Sequence, residues 1–107
     1  MEIKVLGCSG GIGGATRRTT AFLVDTDLLI DCGTGVGDLS FDALVQLDHV
    51  FLSHAHLDHI ALLPMLVDSV MGERDRPLRV YGLPETLQAL QQHIFNSAIW
   101  PDFTRLP

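Results

Sequence analysis

Cysteine and positive charge are both scarce in this sequence. Its 107 residues include two cysteines, seven lysines and arginines, and thirteen aspartates and glutamates, which gives a formal net charge of −6. Cys8 and Cys32 lie far apart without a Cys-x-x-Cys pair, so we expect buried thiols rather than a disulfide or metal ligands. The acidic balance argues against nucleic acid as the main partner, because binding a polyanion needs a basic surface.

Long apolar runs are also absent. The longest run, residues 60–67, has eight residues and is interrupted by Pro64, whereas a membrane-spanning helix needs about 18 or more. Residues 1–8 lack the basic start and the long apolar core of a signal peptide. We therefore expect a cytoplasmic protein with no membrane partner.

Apolar residues are nevertheless abundant for so short a chain. They make up 47% of the sequence, and the mean hydropathy is +0.28. A chain of this length forms a single domain at most and buries roughly 60–70% of its unfolded surface. Because apolar surface is left over, we expect residues 1–107 to be one part of a larger body, of which a homodimer is one form.

The apolar periodicity predicts strands first and then alternating helices and strands. The predicted strands are 3–8, 20–25, 28–31, 48–52 and 78–81, of which the second and third form a hairpin. The predicted helices are 41–47, 63–71 and 84–95. Ser40 is the expected N-cap of the first helix, and residues 59–62 are predicted to be a turn because Pro64 suits only a first helical turn. This order predicts an α/β fold, α+β in the strict sense, with a mixed sheet covered by helices.

The most specific signal is the histidine motif, residues 53–59, which reads Ser-His-Ala-His-Leu-Asp-His. At this composition, the pattern His-x-His-x-Asp-His arises by chance roughly once in a thousand such chains. Imidazole nitrogen and carboxylate oxygen bind divalent cations such as zinc, and manganese and iron suit them too. Four such groups on one short loop cannot all reach a single ion without strain, but they can serve two. The motif therefore predicts two divalent metal ions in a hydrolytic centre, although a solvated polar loop or helix-capping histidines remain alternatives.

The histidine motif, entered from a short apolar strand, resembles the signature of the metallo-β-lactamase fold superfamily. This resemblance implies that His54 and His56 ligate one metal ion and that Asp58 and His59 ligate the other. It also implies that Asp58 orients the attacking water, as a catalytic residue. Asp31, at the end of the predicted strand 28–31, is implied to support the motif from beneath. The implied fold is an αββα sandwich of which residues 1–107 form the amino-terminal half.

A narrower resemblance comes from the ends of the chain. Residues 3–11, Leu57 within the motif, and residues 94–103 are similar to class II cyclic-nucleotide phosphodiesterases. This implies a metal-dependent hydrolase of a phosphodiester, with a small 3′,5′-cyclic nucleotide as substrate. The ribonuclease Z branch has a similar opening, so an RNA-processing hydrolase is the alternative, as is a non-catalytic fragment that pairs with a partner chain. Because the family supplies further ligands from downstream, we expect residues 1–107 alone to bind zinc weakly and to be inactive.

The glycine-rich segment, residues 7–13, offers a rival interpretation. Its glycine spacing is similar to that of a dinucleotide-binding loop, but such a loop must open a helix that meets the pyrophosphate. Here a strand pattern follows instead, which argues against a dinucleotide. Arg17 or Arg18 could meet a substrate phosphate at the mouth of the site, although solvated arginines on a loop are the favoured interpretation.

Overall fold

The computed structural model of the protein describes residues 1–105, which form one mixed sheet with helices on one face. The strands are β1 (Ile3–Gly7), β2 (Ala21–Val24), β3 (Leu28–Ile30), β4 (His49–Phe51) and β5 (Arg79–Tyr81). The α-helices are α1 (Phe41–Val45), α2 (Leu57–Ile60), α3 (Leu63–Val70) and α4 (Pro84–His93). Short 3₁₀ helices occur at Gly14–Thr16, Thr34–Asp38 and Phe103–Arg105. Within residues 1–105, none of the helices is both long and apolar enough to cross a membrane.

The five strands are arranged in sequence order across the sheet. β1 and β3 pair antiparallel with β2, while β4 lies parallel to both β3 and β5. The predicted hairpin and mixed sheet are therefore confirmed. Since β1, β3, β4 and β5 all run in one direction, their carboxyl ends lie along one edge of the sheet, and the segments that follow them meet there.

The two faces of the sheet differ in what covers them. On one face, Leu29 and Val50 are completely buried in a core shared with α3 and α4. On the other face, the strand register aligns one apolar side chain from each strand. This outer row consists of Val5, Phe22, Ile30, Phe51 and Tyr81. The outer row stays partly or largely exposed, because side chains alternate between faces and the core helices occupy the other one.

The helices begin where the sequence predicts, with one exception. The Ser40 side chain accepts a hydrogen bond from Ala43 N (3.2 Å), and Pro64 lies in the first turn of α3, as expected. The prediction of a turn over residues 59–62 is wrong for its first half, because α2 extends through Ile60. The helix then stops: the backbone at Leu62 leaves the helical region (φ −97°, ψ 1°), and the Leu62 amide donates to Cys32 O (3.1 Å). α2 is thus a single turn stabilised by a neighbouring loop.

The two cysteines occupy different environments. Cys32 is completely buried, and this burial raises the pKa of its thiol far above the ordinary value. Cys8 is exposed, so the prediction of a buried thiol is wrong there. Cys8 directly follows β1, which is an edge strand of the sheet.

Candidate metal centre

The histidine motif lies at the edge where the parallel strands end. β4 leads directly into the motif, and β3, its parallel neighbour, leads into Asp31 and Cys32. The β3–β4 register places Ile30 beside Phe51, so Asp31 arrives level with the start of the motif. In open sheets with parallel strands, ligand sites form outside the carboxyl ends of the strands.

The carboxylate of Asp31 is the centre of the local hydrogen-bond network. One oxygen, Oδ1, accepts the Ser53 amide (2.8 Å), and the other, Oδ2, accepts the Ser53 hydroxyl (2.8 Å) and contacts His59 Nδ1 (2.9 Å). Asp31 is only 3% exposed, so these groups replace water as its partners. Its φ of +61° is a left-handed conformation that aspartate tolerates better than most side chains.

Three imidazole rings gather above this carboxylate. The ring centre of His54 lies 4.6 Å from that of His56 and 4.1 Å from that of His59. His56 directly precedes α2 and has an extended backbone (φ −65°, ψ 144°). The chain therefore changes from extended to helical between His56 and Leu57. The structure therefore brings together the histidines that the sequence predicts as ligands.

Asp58 and His59 form a second close pair. Asp58 Oδ2 lies 3.4 Å from His59 Nε2, while His59 Nδ1 is occupied by Asp31. If Nδ1 carries the proton of a neutral ring, then Nε2 presents a lone pair toward a carboxylate oxygen. Two acceptors that face one another need a cation or a proton between them. This donor set fits a divalent ion that is bound by Asp58 and His59.

A loop from β3 sets the position of α2. Cys32 N donates to His59 O (2.7 Å), and Gly33 packs directly against the chain at Asp58. A Cβ on Gly33 would lie 2.5 Å from Asp58 O and would also collide with Thr19. The absence of a side chain at residue 33 therefore lets α2 approach the sheet.

Within residues 1–105, no group of three or more histidine, cysteine, aspartate and glutamate side chains is arranged so that it could hold a metal ion by itself. The described residues thus provide pairs of donors, whereas a catalytic zinc normally has three protein ligands. The assignment of His54, His56, Asp58 and His59 as metal ligands remains a prediction. Arg18 already has protein partners, because its Nε pairs with Asp38 Oδ2 (2.5 Å) and its Nη1 donates to Gly14 O (3.3 Å).

Ser53 is a site residue to which the sequence reasoning assigned no role. Its hydroxyl contacts both Asp31 Oδ2 (2.8 Å) and His54 Nδ1 (2.9 Å). The only sequence signal was its place immediately before the first motif histidine. That signal is weak, since serine is common at the ends of strands.

The chain matches the family model for class-II cAMP phosphodiesterases over residues 39–106. It is 35% identical over 107 aligned residues to the probable metallo-hydrolase YhfI of Bacillus subtilis, covering 91% of this chain and 44% of that protein. It is 31% identical over 109 aligned residues to ribonuclease Z of Haloferax volcanii, covering 96% and 34%. It is also 35% identical over 66 aligned residues to 3′,5′-cyclic-nucleotide phosphodiesterase 1 of Saccharomyces cerevisiae, covering 61% and 18%.

Two solved structures have the same fold over most of this chain. Unliganded yeast PDE1 superposes with a TM-score of 0.76 at 21% identity, covering 97% of this chain and 47% of that one. The metallo-β-lactamase fold protein YhfI superposes with a TM-score of 0.63 at 33% identity, covering 84% and 41%. The predicted fold is thereby confirmed. The chain spans less than half the length of these relatives.

Proposed function

Because the chain belongs to the class-II cAMP phosphodiesterase family, we propose that the protein containing it hydrolyses a 3′,5′-cyclic nucleotide with divalent metal ions bound at the histidine motif. The observation that carries this proposal is the grouping of three imidazoles and the Asp58 carboxylate at the carboxyl edge of the sheet. The ring centre of His54 lies 4.6 Å from that of His56 and 4.1 Å from that of His59, so the three imidazoles are neighbours at this edge.

Each motif side chain has a role in this proposal. His54 and His56 would hold one ion, and Asp58 and His59 the other; zinc suits these ligands, as do manganese and iron. Bound divalent ions lower the pKa of water and offset the negative charge that develops on phosphoryl oxygens. The Asp58 carboxylate would orient the attacking water toward phosphorus by accepting a hydrogen bond from it. Asp31 would keep the His59 ring in position through Nδ1.

The remaining ligands would come from outside residues 1–105. More than half of the related protein YhfI lies outside the part that matches this chain, and a corresponding segment would supply these ligands. The exposed outer row is evidence that a further element covers this face. Five neighbouring strands present apolar side chains to solvent there, and large exposed apolar patches mark interaction surfaces. We expect that element to be a second half of the domain, with a homodimer as the other arrangement.

An RNA substrate is the second candidate function. It is favoured by the relation to ribonuclease Z of Haloferax volcanii, which extends over 96% of this chain, against 61% for the yeast cyclic-nucleotide phosphodiesterase. It is disfavoured by the net charge of −6, because RNA binding depends on neutralising phosphates with basic side chains.

The deciding experiment compares the two substrates directly. The full-length protein that contains this chain is loaded with zinc and incubated with 3′,5′-cyclic AMP and, separately, with a precursor tRNA. Formation of 5′-AMP with no RNA cleavage is the expected result. Cleavage of the precursor tRNA with no turnover of the cyclic nucleotide would instead assign the ribonuclease function.

A further inference from the structure

The Ser53 hydroxyl lies between two groups that belong to different parts of the site. Its Oγ is 2.8 Å from Asp31 Oδ2 and 2.9 Å from His54 Nδ1. The Ser53 amide makes a separate contact, to Asp31 Oδ1 at 2.8 Å. The backbone and the side chain of Ser53 thus bind the same carboxylate independently, and only the side chain continues to His54.

The direction of these hydrogen bonds follows from the number of available protons. An ionised carboxylate can only accept, and a serine hydroxyl has a single proton to donate. Asp31 Oδ2 therefore accepts a hydrogen bond from the Ser53 hydroxyl. The Ser53 oxygen can then only accept a hydrogen bond from His54. In this network His54 Nδ1 must carry a proton, and in a neutral ring this leaves the lone pair on Nε2.

We propose that Ser53 is a positioning residue that fixes the tautomer of His54, so that Nε2 is free to bind a metal ion. The inference rests on the proposed metal centre. Asp31 acts on His59 in the same way without an intermediary, because its Oδ2 lies 2.9 Å from His59 Nδ1. A single buried carboxylate thereby orients two motif histidines, one directly and one through Ser53. Partners of this kind typically change metal affinity 10–100-fold when removed.

Two substitutions separate this role from a structural one. Ser53→Ala removes the hydroxyl but keeps the amide that binds Asp31 Oδ1, and the side chain is exposed, so the fold has little reason to change. Ser53→Thr keeps the hydroxyl and adds one methyl group at an exposed position. Circular dichroism provides the check that both variants are folded.

The main measurement is the ring tautomer of His54 in the metal-free full-length protein that contains this chain. Histidine-selective ¹⁵N labelling and two-bond ¹H–¹⁵N correlation spectra, recorded where the rings are neutral, show which nitrogen of His54 carries the proton. The wild type should show the proton on Nδ1. In Ser53→Ala the ratio of the Nδ1-protonated to the Nε2-protonated form of His54 should fall at least about threefold. Ser53→Thr should restore this ratio. His49, whose Nδ1 lies 3.2 Å from the Tyr81 hydroxyl, is the internal control and should not change.

Zinc titration gives the second readout. Ser53→Ala should weaken zinc binding about 10-fold, while Ser53→Thr should stay within about threefold of the wild type. A wild-type His54 protonated on Nε2 would overturn the proposal without any variant, as would an unchanged tautomer in folded Ser53→Ala. Neither readout involves hydrolysis. A protein without phosphodiesterase activity could therefore still show the expected tautomer, and an active phosphodiesterase could still show the opposite tautomer.

Discussion

Asp31 and His59 are separated by 28 positions in the sequence, yet Asp31 Oδ2 and His59 Nδ1 lie 2.9 Å apart. The contact joins the end of β3 to α2, and it is possible because β3 and β4 are parallel neighbours. Asp31 is the buried partner, with its side chain 4% exposed against 18% for His59. This carboxylate therefore links the histidine motif to the core of the sheet, in addition to the backbone hydrogen bond from Cys32 N to His59 O.

Replacing Asp31 by asparagine should destabilise the protein and weaken zinc binding. Asparagine also tolerates the left-handed backbone, but its NH₂ group would face donors that now meet Oδ2, namely the Ser53 hydroxyl and His59 Nδ1. A buried polar mismatch of this kind costs about 2 kcal/mol, and zinc affinity should fall 10–100-fold. Urea unfolding and zinc titration measure the two effects.

Asp25→Asn is the matched control for this variant. Asp25 also has a left-handed backbone (φ +52°), but it is exposed, and among the described residues its side chain accepts a hydrogen bond from the Glu2 amide (2.8 Å). Its substitution should change the free energy of unfolding by less than about 0.5 kcal/mol. Equal losses in the two variants would contradict a special role for Asp31.

Gly33→Ala should disturb α2. The added Cβ would lie 2.5 Å from Asp58 O and 2.6 Å from the carbonyl carbon of Thr19, and both of these are backbone atoms that cannot rotate away. We expect a loss of about 3 kcal/mol from overpacking, measured by thermal or urea unfolding, and weaker zinc binding in the fraction that remains folded. Gly10→Ala is the control, since a Cβ there meets nothing within 4 Å. A stable Gly33→Ala protein with unchanged zinc affinity would contradict the close packing.

The ion-pair cluster around Asp48 should make stability depend on acidic pH. Hydrogen bonds from Arg76 and then Arg74 lower the pKa of Asp48 from 3.8 to about 2. A carboxyl group with a lowered pKa in the folded state stabilises the fold above its unfolded pKa. This contribution should therefore be complete above about pH 4 and be lost as the pH falls from there toward 2. Urea unfolding at a series of pH values should show a decline that is reduced in Asp48→Asn.

At neutral pH, Asp48→Asn should itself cost about 3 kcal/mol. The reason is Arg74, whose side chain is 6% exposed and would keep a buried charge without its carboxylate partner. Asp75→Asn is the control, because Asp75 is 91% exposed and contacts only the exposed Arg76 among the described partners. Its removal should be nearly neutral. A large effect of Asp75→Asn would show that net charge, rather than the Arg74 pair, sets the stability.

The outer row should make the isolated 107-residue chain self-associate. Phe51 is 41% exposed and stacks on Tyr81 at 4.4 Å between ring centres, in the middle of an uncovered apolar face. Size-exclusion chromatography should show dimers or aggregates, and Phe51→Asp should shift the chain toward monomer. Met65→Asp, at an exposed position of α3, should leave association unchanged. A monodisperse wild-type monomer with cooperative unfolding would argue against a covering partner.

In the full-length protein, His56→Ala and Asp58→Ala should each abolish phosphodiesterase activity while the fold is retained. Both side chains are at the proposed metal centre, and neither is fully buried, so their loss removes ligands rather than core packing. Turnover of 3′,5′-cyclic AMP and circular dichroism measure the two properties. His93→Ala, on the exposed side of α4, should keep full activity. Persistence of activity in both motif variants would exclude the two-metal assignment.

Local patterns predicted most of the secondary structure because strand and helix periodicities are properties of short segments. Ser40 could be assigned as an N-cap and Pro64 as a first-turn residue for the same reason. α2 could not be predicted, since a one-turn helix is too short to be stable alone. It is stabilised here by Cys32 and Leu62, whose contacts connect it to the loop after β3.

By itself, the sequence predicted the kind of chemistry, because the spacing of His54, His56, Asp58 and His59 is a local property that any fold would retain. The tertiary structure alone decided how these side chains are oriented. Asp31 reaches Ser53 and His59 only because β3 and β4 pair in parallel with a defined register, and no local pattern encodes the pairing of strands that are distant in sequence. The exposure of the outer row was likewise decided by the side of the sheet on which the helices pack.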